Sequence, residues 1–535
     1  MSTSRAARAV PWAPRGSRCT STATTADHDA QEETITQQLG PGLADAVDER
    51  PRSAVRHRRA RARGVHLVVP ALASLALGLW GITRQGSMWR DESVTYQVAH
   101  RPLGELWGLL GHIDAVHGLY YLLMHAVFAL WDGGLVALRM PSVLATACAA
   151  AGVAAIGARL SGRLAGTLAG LVFALLPVTQ QYAQEGRSYA LVTACVTWAA
   201  YAFLRGLRAT GSRWWTGYGV LLALACWLHE FAALALVAHA LTLWRLSVPG
   251  RVWRAWSLAA AGVTLALLPL MAVSSGQADR QLGWLGRPGL NHWLQFLAVA
   301  AVALLLSRLL SRRPGAAELV ALALPLTLVP AGLLLVVSFV EPWYVDRYVL
   351  YGMTGPALLS GAALAHVVRA SRRFSRPARA LTACLAAGTA VAVLLPWSSQ
   401  VRSPESRKDD VVAVARAVEK SARDGDAVLF MPARRREWLL SYPDLLGRLD
   451  DLALAESPAA SHTLQGIERP AAEIGRRLLT ADRVIALTDP EGQPLDPYPQ
   501  EKVKRRILDS RFRMCARIPV HGAQVRVYIR SGNCM

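Results

Sequence analysis

Residues 319–340 read LVALALPLTLVPAGLLLVVSFV, without one charged side chain. As a helix rising about 1.5 Å per residue, this run is long enough to cross a hydrocarbon core of about 30 Å. Leu67–Leu79 and Ser257–Val273 are further apolar runs with few or no charges. A membrane barrel would alternate polar and apolar residues instead. Of the 535 residues, 53% are hydrophobic and 18% charged, too little charge for a soluble chain of this length. The reading is an α-helical polytopic membrane protein.

The net charge of +21 does not indicate nucleic-acid binding, because the arginines sit in short clusters between apolar runs. That distribution is the positive-inside bias of cytoplasmic loops. The clusters are Arg159/Arg163, Arg205/Arg208/Arg213, Arg245/Arg251/Arg254, Arg308/Arg312/Arg313 and Arg369/Arg372/Arg373/Arg376/Arg379. Residues 1–64 are rich in Ala, Ser, Thr and Arg and read as a disordered cytoplasmic head. They have no apolar core or cleavage site of a signal peptide. The basic run 56–63 pins the start of the first span inside and is suited to touching anionic membrane lipid.

The stretch 117–131 decides the topology. It is about fifteen residues long and carries His117 and His125, short for a span. Laid along the surface, it puts all five arginine clusters on the cytoplasmic side. About eleven spans then follow: 65–83, 137–158, 164–178, 188–206, 214–228, 231–247, 255–273, 293–310, 317–339, 348–368 and 378–397. The loop 84–136 and everything from 398 fall outside the plasma membrane. The tail 398–535 changes character: helices at 409–423, 434–441 and 501–509, strands at 427–431 and 484–487, and a closing hairpin at 513–519 and 523–529. This is the pattern of a small extracytoplasmic α/β domain.

Seven cysteines include no CxxC pair. Cys148, Cys195, Cys226 and Cys384 lie in apolar helices, whereas Cys515 and Cys534 fall in the external tail, where a disulfide persists. Asp424-Gly425-Asp426 matches the DxD of metal-dependent nucleotide-sugar enzymes, but on the external side it reads as an Asp-Gly turn. No Walker loop, GxGxxG or HExxH is present, and no residue pattern calls for a metal or cofactor.

Met88-Trp89-Arg90-Asp91-Glu92, just beyond the first span, places two carboxylates at a membrane surface, where they are costly. Glycosyl transfer with inversion needs one carboxylate to take the proton of an attacking hydroxyl. The alternative is an acidic pair that marks a helix end and pairs with Arg90. Asp346-Arg347-Tyr348 heads the tenth span; its arginine suits a lipid phosphate or a snorkelling side chain equally. Glu185 and Arg187 read either as site residues or as a local ion pair, and His229-Glu230 as a solvated turn.

The acidic pair is followed by 117–125 (HGLYYLLMH), 138–144 (LRMPSVL), 181–191 (QYAQEGRSYAL) and 342–348 (PWYVDRY). In this order and on one side of the membrane, these strings resemble the GT-C superfamily of membrane glycosyltransferases. The nearest branch is the protein O-mannosyltransferase-like enzymes of family 39, and a more distant one is the lipid A aminoarabinose transferase. The resemblance covers about 65–370. It implies catalysis at Asp91, with Glu92 as its partner. It implies a substrate site drawing on His117, Tyr120, Tyr121, Arg139, Glu185, Arg187, Arg347 and Tyr348. The implied donor is a polyprenyl-phosphate sugar, with mannose the expected sugar. The acceptor is an extracytoplasmic protein, glycan or lipid. The family's PPLYY is VHGLYY here, and its QEAR is QEGR. A transporter or lipid flippase would instead need polar residues along a path through mid-membrane, and the spans are plain. An envelope-assembly protein with an idle acidic pair is the third reading.

Overall fold

The computed structural model describes residues 49–535, except 210, 279–282, 284, 314, 532, 533 and 535. The chain divides into units 1–60 and 61–535, and the second contains both the helical bundle and the sheet. Most of the expected disordered head lies outside the described residues; a helix, Glu49–Leu79, begins at its end.

Among the described residues, seven helices are long and apolar enough to cross a membrane: Gly64–Gly86, Gly134–Ser161, Gly250–Ser275, Leu290–Ser311, Ala317–Val337, Asp346–Arg373 and Arg376–Val401. Arg163–Leu175 and Pro177–Ala183 form an eighth if counted together, bent by 67°. Pro177 cannot supply the amide hydrogen that would continue the ladder. Three expected spans are shorter helices, Tyr189–Gly206, Arg213–Leu228 and Leu234–Arg245. The last two are separated by His229 and a 3-10 turn, Glu230–Ala233. A helix occupies each of the expected span positions, but these three are not long and apolar enough to cross a membrane by themselves. The 117–131 stretch is a thirteen-residue helix, Gly118–Leu130, too short to span.

Small residues let these helices approach closely, as lipid-embedded packing favours. A Cβ on Gly361 would lie 2.3 Å from the Ala169 backbone nitrogen, and one on Gly166 would lie 2.3 Å from the Ala154 carbonyl oxygen. Arginines of three of the clusters meet at one end of the bundle. Arg369 Nη2 donates to the Ser161 carbonyl at 3.1 Å, Arg159 Nη2 to that of Leu204 at 3.4 Å, and Arg208 pairs with Glu318 at 2.6 Å. Met88–Glu92, Gly186 and Arg347 gather at the other end.

At that end the loop 84–136 folds into two helices that the sequence reading did not separate, Arg90–Ala99 and Leu103–His112. Over them lies the tail. Its five-stranded sheet runs Asp450–Asp451, Ala427–Met431, Arg483–Thr488, Ala523–Ile529, Arg513–Val520. The first three strands are mutually parallel, and the closing hairpin joins antiparallel. Register pairs Val428 with Ile485 and Leu487 with Val525. The two central strands are apolar on both faces because both faces are covered. Val428, Phe430, Ile485 and Leu487 join a core with the helix Val411–Ser421, while Leu429, Val484 and Ala486 pack against Ala471–Thr480 and Pro499–Arg511.

The expected tail strands and hairpin are present. The two-residue strand 450–451 and the ladder of Leu454–Glu456 with Ile467–Glu468 are too short to show a period. Helix Ala471–Thr480 was missed although Pro470 and the buried pair Ile474 and Leu478 signal it. Asp424-Gly425-Asp426 is a turn: Gly425 has φ +84°, and Asp426 accepts the Arg423 N–H at 2.7 Å and pairs with Arg483. Cys515 and Cys534 are joined, tying Cys534 to the edge strand Arg513–Val520.

With the arginine end inside, as the positive-inside bias directs, reporter fusions should place residue 161 in the cytoplasm. Residue 184 and the C-terminus should be outside. A cytoplasmic C-terminus would overturn this orientation.

Candidate active site

The extended stretch Ser87–Trp89 leads into helix Arg90–Ala99, and Glu92 occupies its first turn. Its side chain is fully buried and every direction around it is taken. Oε1 accepts from Arg139 Nε at 2.7 Å and Gly186 N at 3.0 Å; Oε2 accepts from Arg139 Nη2 at 2.8 Å, from Arg84 and, at 3.5 Å, from Trp89 N. Burial alone would raise its pKa, but Arg139 and Arg84 overcome it and hold Glu92 at about 2. The glycine of QEGR has a reason here. A Cβ on Gly186 would stand 2.5 Å from Leu138 Cγ, just where its N–H must reach Glu92.

Asp91 is treated differently. Its side chain is 25% exposed and lies 3.4 Å from Arg347 Nη2. Arg347 is 9% exposed, donates through Nε to the Tyr189 hydroxyl at 3.2 Å, and sits 5.6 Å from the ring centres of Trp89 and Tyr348. Arg187 Nη2 donates to His117 Nε2 at 2.7 Å, and its Nη1 to Thr95 Oγ1 at 3.4 Å and weakly to the Asp91 carbonyl. His229 packs 4.3 Å from Tyr348 and 6.0 Å from His117, centre to centre. Burial first, then the charges of Arg187 and Arg347, lowers His229 to about 3; burial, with Arg187, His229 and Arg347, lowers His117, which favours the neutral ring in both. Nδ1 of each is buried without a partner.

These groups border a cavity of about 1020 Å³, lined on the bundle side by Asp91, His117, Arg187, His229, Arg347 and Tyr348 and on the other by tail residues. Among the described residues, no three His, Cys, Asp or Glu side chains gather as a metal cluster.

The structure thus brings together Asp91, His117, Arg187, Arg347 and Tyr348. It keeps the other expected substrate residues off the cavity. Arg139 is spent on Glu92 and on the carbonyls of Ile82 and Ser87, both at 2.6 Å. Tyr120 is buried, and Tyr121 gives its hydroxyl to Asp114 at 2.7 Å. Glu185 pairs with Arg407 at 2.9 Å, not with Arg187, so the local ion pair does not form. His229, expected as a solvated turn, is 4% exposed.

What the sequence reading missed entirely is the tail's part. Asp409 accepts the Arg90 N–H at 2.7 Å; Val411 N donates to the Met88 carbonyl at 2.7 Å; Asp410 caps helix Val411–Ser421 and accepts from Met88 N at 3.4 Å. Glu437, 1% exposed, pairs with the Arg90 side chain at 2.9 Å, and Ser441 bonds Ser93 at 2.7 Å. The adjacent acids Asp409-Asp410 before an apolar run carried a helix-cap signal, but nothing in the sequence tied them to a loop some 320 residues earlier.

Residues 119–275, which begin after Asp91, match the dolichyl-phosphate-mannose-protein mannosyltransferase family. No curated protein sequence matches the chain significantly. Two crystal structures of ArnT from Cupriavidus metallidurans are similar. The apo form has a TM-score of 0.56 at 12% identity, covering 87% of this chain and 98% of that one. The form bound to undecaprenyl phosphate has a TM-score of 0.51 at 12% identity, covering 88% and 99%. The chain therefore has the fold of these ArnT structures and over residues 119–275 resembles the dolichyl-phosphate-mannose-protein mannosyltransferases, which together support its resemblance to the GT-C superfamily of membrane glycosyltransferases.

Proposed function

We propose that this protein transfers a sugar, mannose the first candidate, from a polyprenyl-phosphate donor to an extracytoplasmic acceptor, with Asp91 as general base. The observation that carries the reading is the contrast within the acidic pair. Glu92 has its lone pairs occupied in a sealed pocket, while Asp91 opens on the cavity with, among the described residues, a single long side-chain contact, to Arg347. The undecaprenyl phosphate bound to the similar ArnT supports a lipid-phosphate donor.

The acceptor hydroxyl gives its proton to an Asp91 carboxylate oxygen as its own oxygen attacks the anomeric carbon. The bond from that carbon to the phosphate oxygen breaks on the opposite face, and the configuration inverts. The electron pair leaves with the lipid phosphate, whose charge meets the guanidinium of Arg347, with Arg187 beyond it. The neutral rings of His117 and His229 offer Nδ1 to polar groups of the substrate without adding charge.

Synthetic polyprenyl-phosphate mannose and the purified protein test this. Asp91→Asn keeps size and hydrogen bonding and removes the proton acceptor, so turnover should fall roughly 10²–10⁴-fold with donor binding little changed. Near wild-type turnover would take Asp91 out of the mechanism. Arg347→Ala should instead weaken donor binding, by about 1.5–3 kcal/mol for a hydrogen bond to a charged group. An unchanged donor Kd would remove it from the phosphate site.

Glu92→Gln should behave as a stability variant, because it leaves Arg84 and Arg139 buried without their counter-charge. Breaking such a group costs about 3–5 kcal/mol, read as a lower unfolding temperature in nanodiscs. The pH dependence follows from the sign of the shift. Glu92 sits at about 2 when folded against an ordinary 4.5, so its stabilisation is present above 4.5 and is lost as pH falls toward 2. The variant should lack that part of the acid sensitivity. An unaltered acid profile would show that Glu92 is not the anchor.

A further inference from the structure

The wall of the cavity contributed by the tail differs in kind from the wall contributed by the bundle. Gln465, Gln493 and Gln500 line it, with Arg434, Asp496 and Glu501. A primary amide presents a donor and an acceptor side by side, which matches a pair of neighbouring hydroxyls. Tyr498, on the same wall, is 64% exposed and offers an apolar ring face with a polar tip. Glu501 is only 3% exposed, and its Oε2 has no partner, although Oε1 is held by Lys504 at 2.8 Å. Asp496 Oδ1 is likewise buried without a partner. Buried acceptors left open are rare in folded proteins and point to a donor supplied from outside.

The acids here do not describe a cation site. Asp496 faces Arg434 at 3.5 Å, Glu501 faces Lys504, and Glu468 faces both Lys504 at 2.7 Å and Arg436 at 2.9 Å. With charge balanced, what remains is hydrogen-bonding capacity around an exposed aromatic ring. A lipid acceptor would call for an apolar wall. An extended peptide would call for an open strand edge, and the strand on this wall, Ile467–Glu468, is two residues long. We infer that the tail wall, centred on Tyr498, Gln493, Gln500 and Glu501, is a saccharide subsite, and that the acceptor is a neutral glycan presented to Asp91 from the tail side. The inference rests on the glycosyl-transfer reading above for the fate of the bound glycan, but not for its binding.

The test is therefore a binding measurement on the full-length protein in nanodiscs, by saturation-transfer NMR. The probes are an α-linked mannopentaose and an arabinopentaose, with a Ser/Thr-rich peptide and a short-chain diacylglycerol beside them. At least one pentasaccharide should bind wild type and Asp91→Asn alike. Tyr498→Ala should weaken it roughly tenfold, as should Gln500→Ala, with unchanged unfolding temperatures. The exposure of Tyr498 makes loss of folding in that variant avoidable, and Gln493→Ala serves as a further probe of the same wall. Absence of binding by both saccharides overturns the inference. So does saccharide binding indifferent to the tail variants, or binding of the peptide or lipid that those variants abolish. If Asp91→Asn retains sugar transfer while Tyr498→Ala loses saccharide binding, the mechanism fails and the subsite stands. If transfer proceeds to the peptide or lipid and no saccharide binds, the subsite fails alone.

Discussion

A single carboxylate organises the end of the bundle that carries the candidate site. Glu92 binds Arg84 from the end of the first span, Arg139 from the second long helix, and the Gly186 amide from the bend after Pro177–Ala183. None of these groups tolerates burial alone: an unpaired guanidinium in a dry interior costs several kcal/mol, and so does an unpaired carboxylate. Held together, they fix three separate stretches of chain against one another. The helix that starts at Arg90 then has one direction in which to leave, and the residue before Glu92 faces the cavity. The freedom of Asp91 follows from the confinement of its neighbour.

Fixing one side of the turn is not sufficient, because the Met88 carbonyl and the Arg90 amide would still need partners. Residues 409–411 supply them, and Glu437 holds the Arg90 side chain in the same direction. Arg407 and Arg402 extend the fastening. The first pairs with Glu185; the second donates to the Trp80 carbonyl at 2.8 Å and lies 4.0 Å over that ring. The sheet is thus part of the site's scaffold and not an appendage, since its first helix is capped by the same Asp410 that touches Met88.

The helical class was written in the sequence, because bilayer thickness dictates apolar length, and that needs no tertiary knowledge. The strands at 427–431 and 484–487 were equally plain, since an apolar run between turn residues has few other uses. The number of spans was less accessible: Arg213–Leu228 and Leu234–Arg245 stand where two spans were expected, yet neither is long enough to cross a membrane by itself. Among the expected site residues, Asp91 and Arg347 stood out as charges at helix ends. Arg139 and Glu185 stood out for the same reason, yet they serve the interior. Sequence reveals that a charge is expensive; only the fold reveals whether another side chain or a substrate meets it. The tail's contribution was hidden for a simpler reason, as no local pattern records a contact across 319 residues.

That separation bears on biosynthesis. The ribosome adds roughly 5–20 residues per second, so the turn at Asp91 leaves the ribosome some tens of seconds before Asp409 exists to hold it. Throughout that interval the early helices can insert and associate, but the geometry around Asp91 lacks one of its two supports. The assembled geometry of the proposed site is thereby deferred to the last quarter of translation. A chain interrupted before that point would carry every residue of the acidic motif in the membrane and still not present an assembled site to the lipid pool around it.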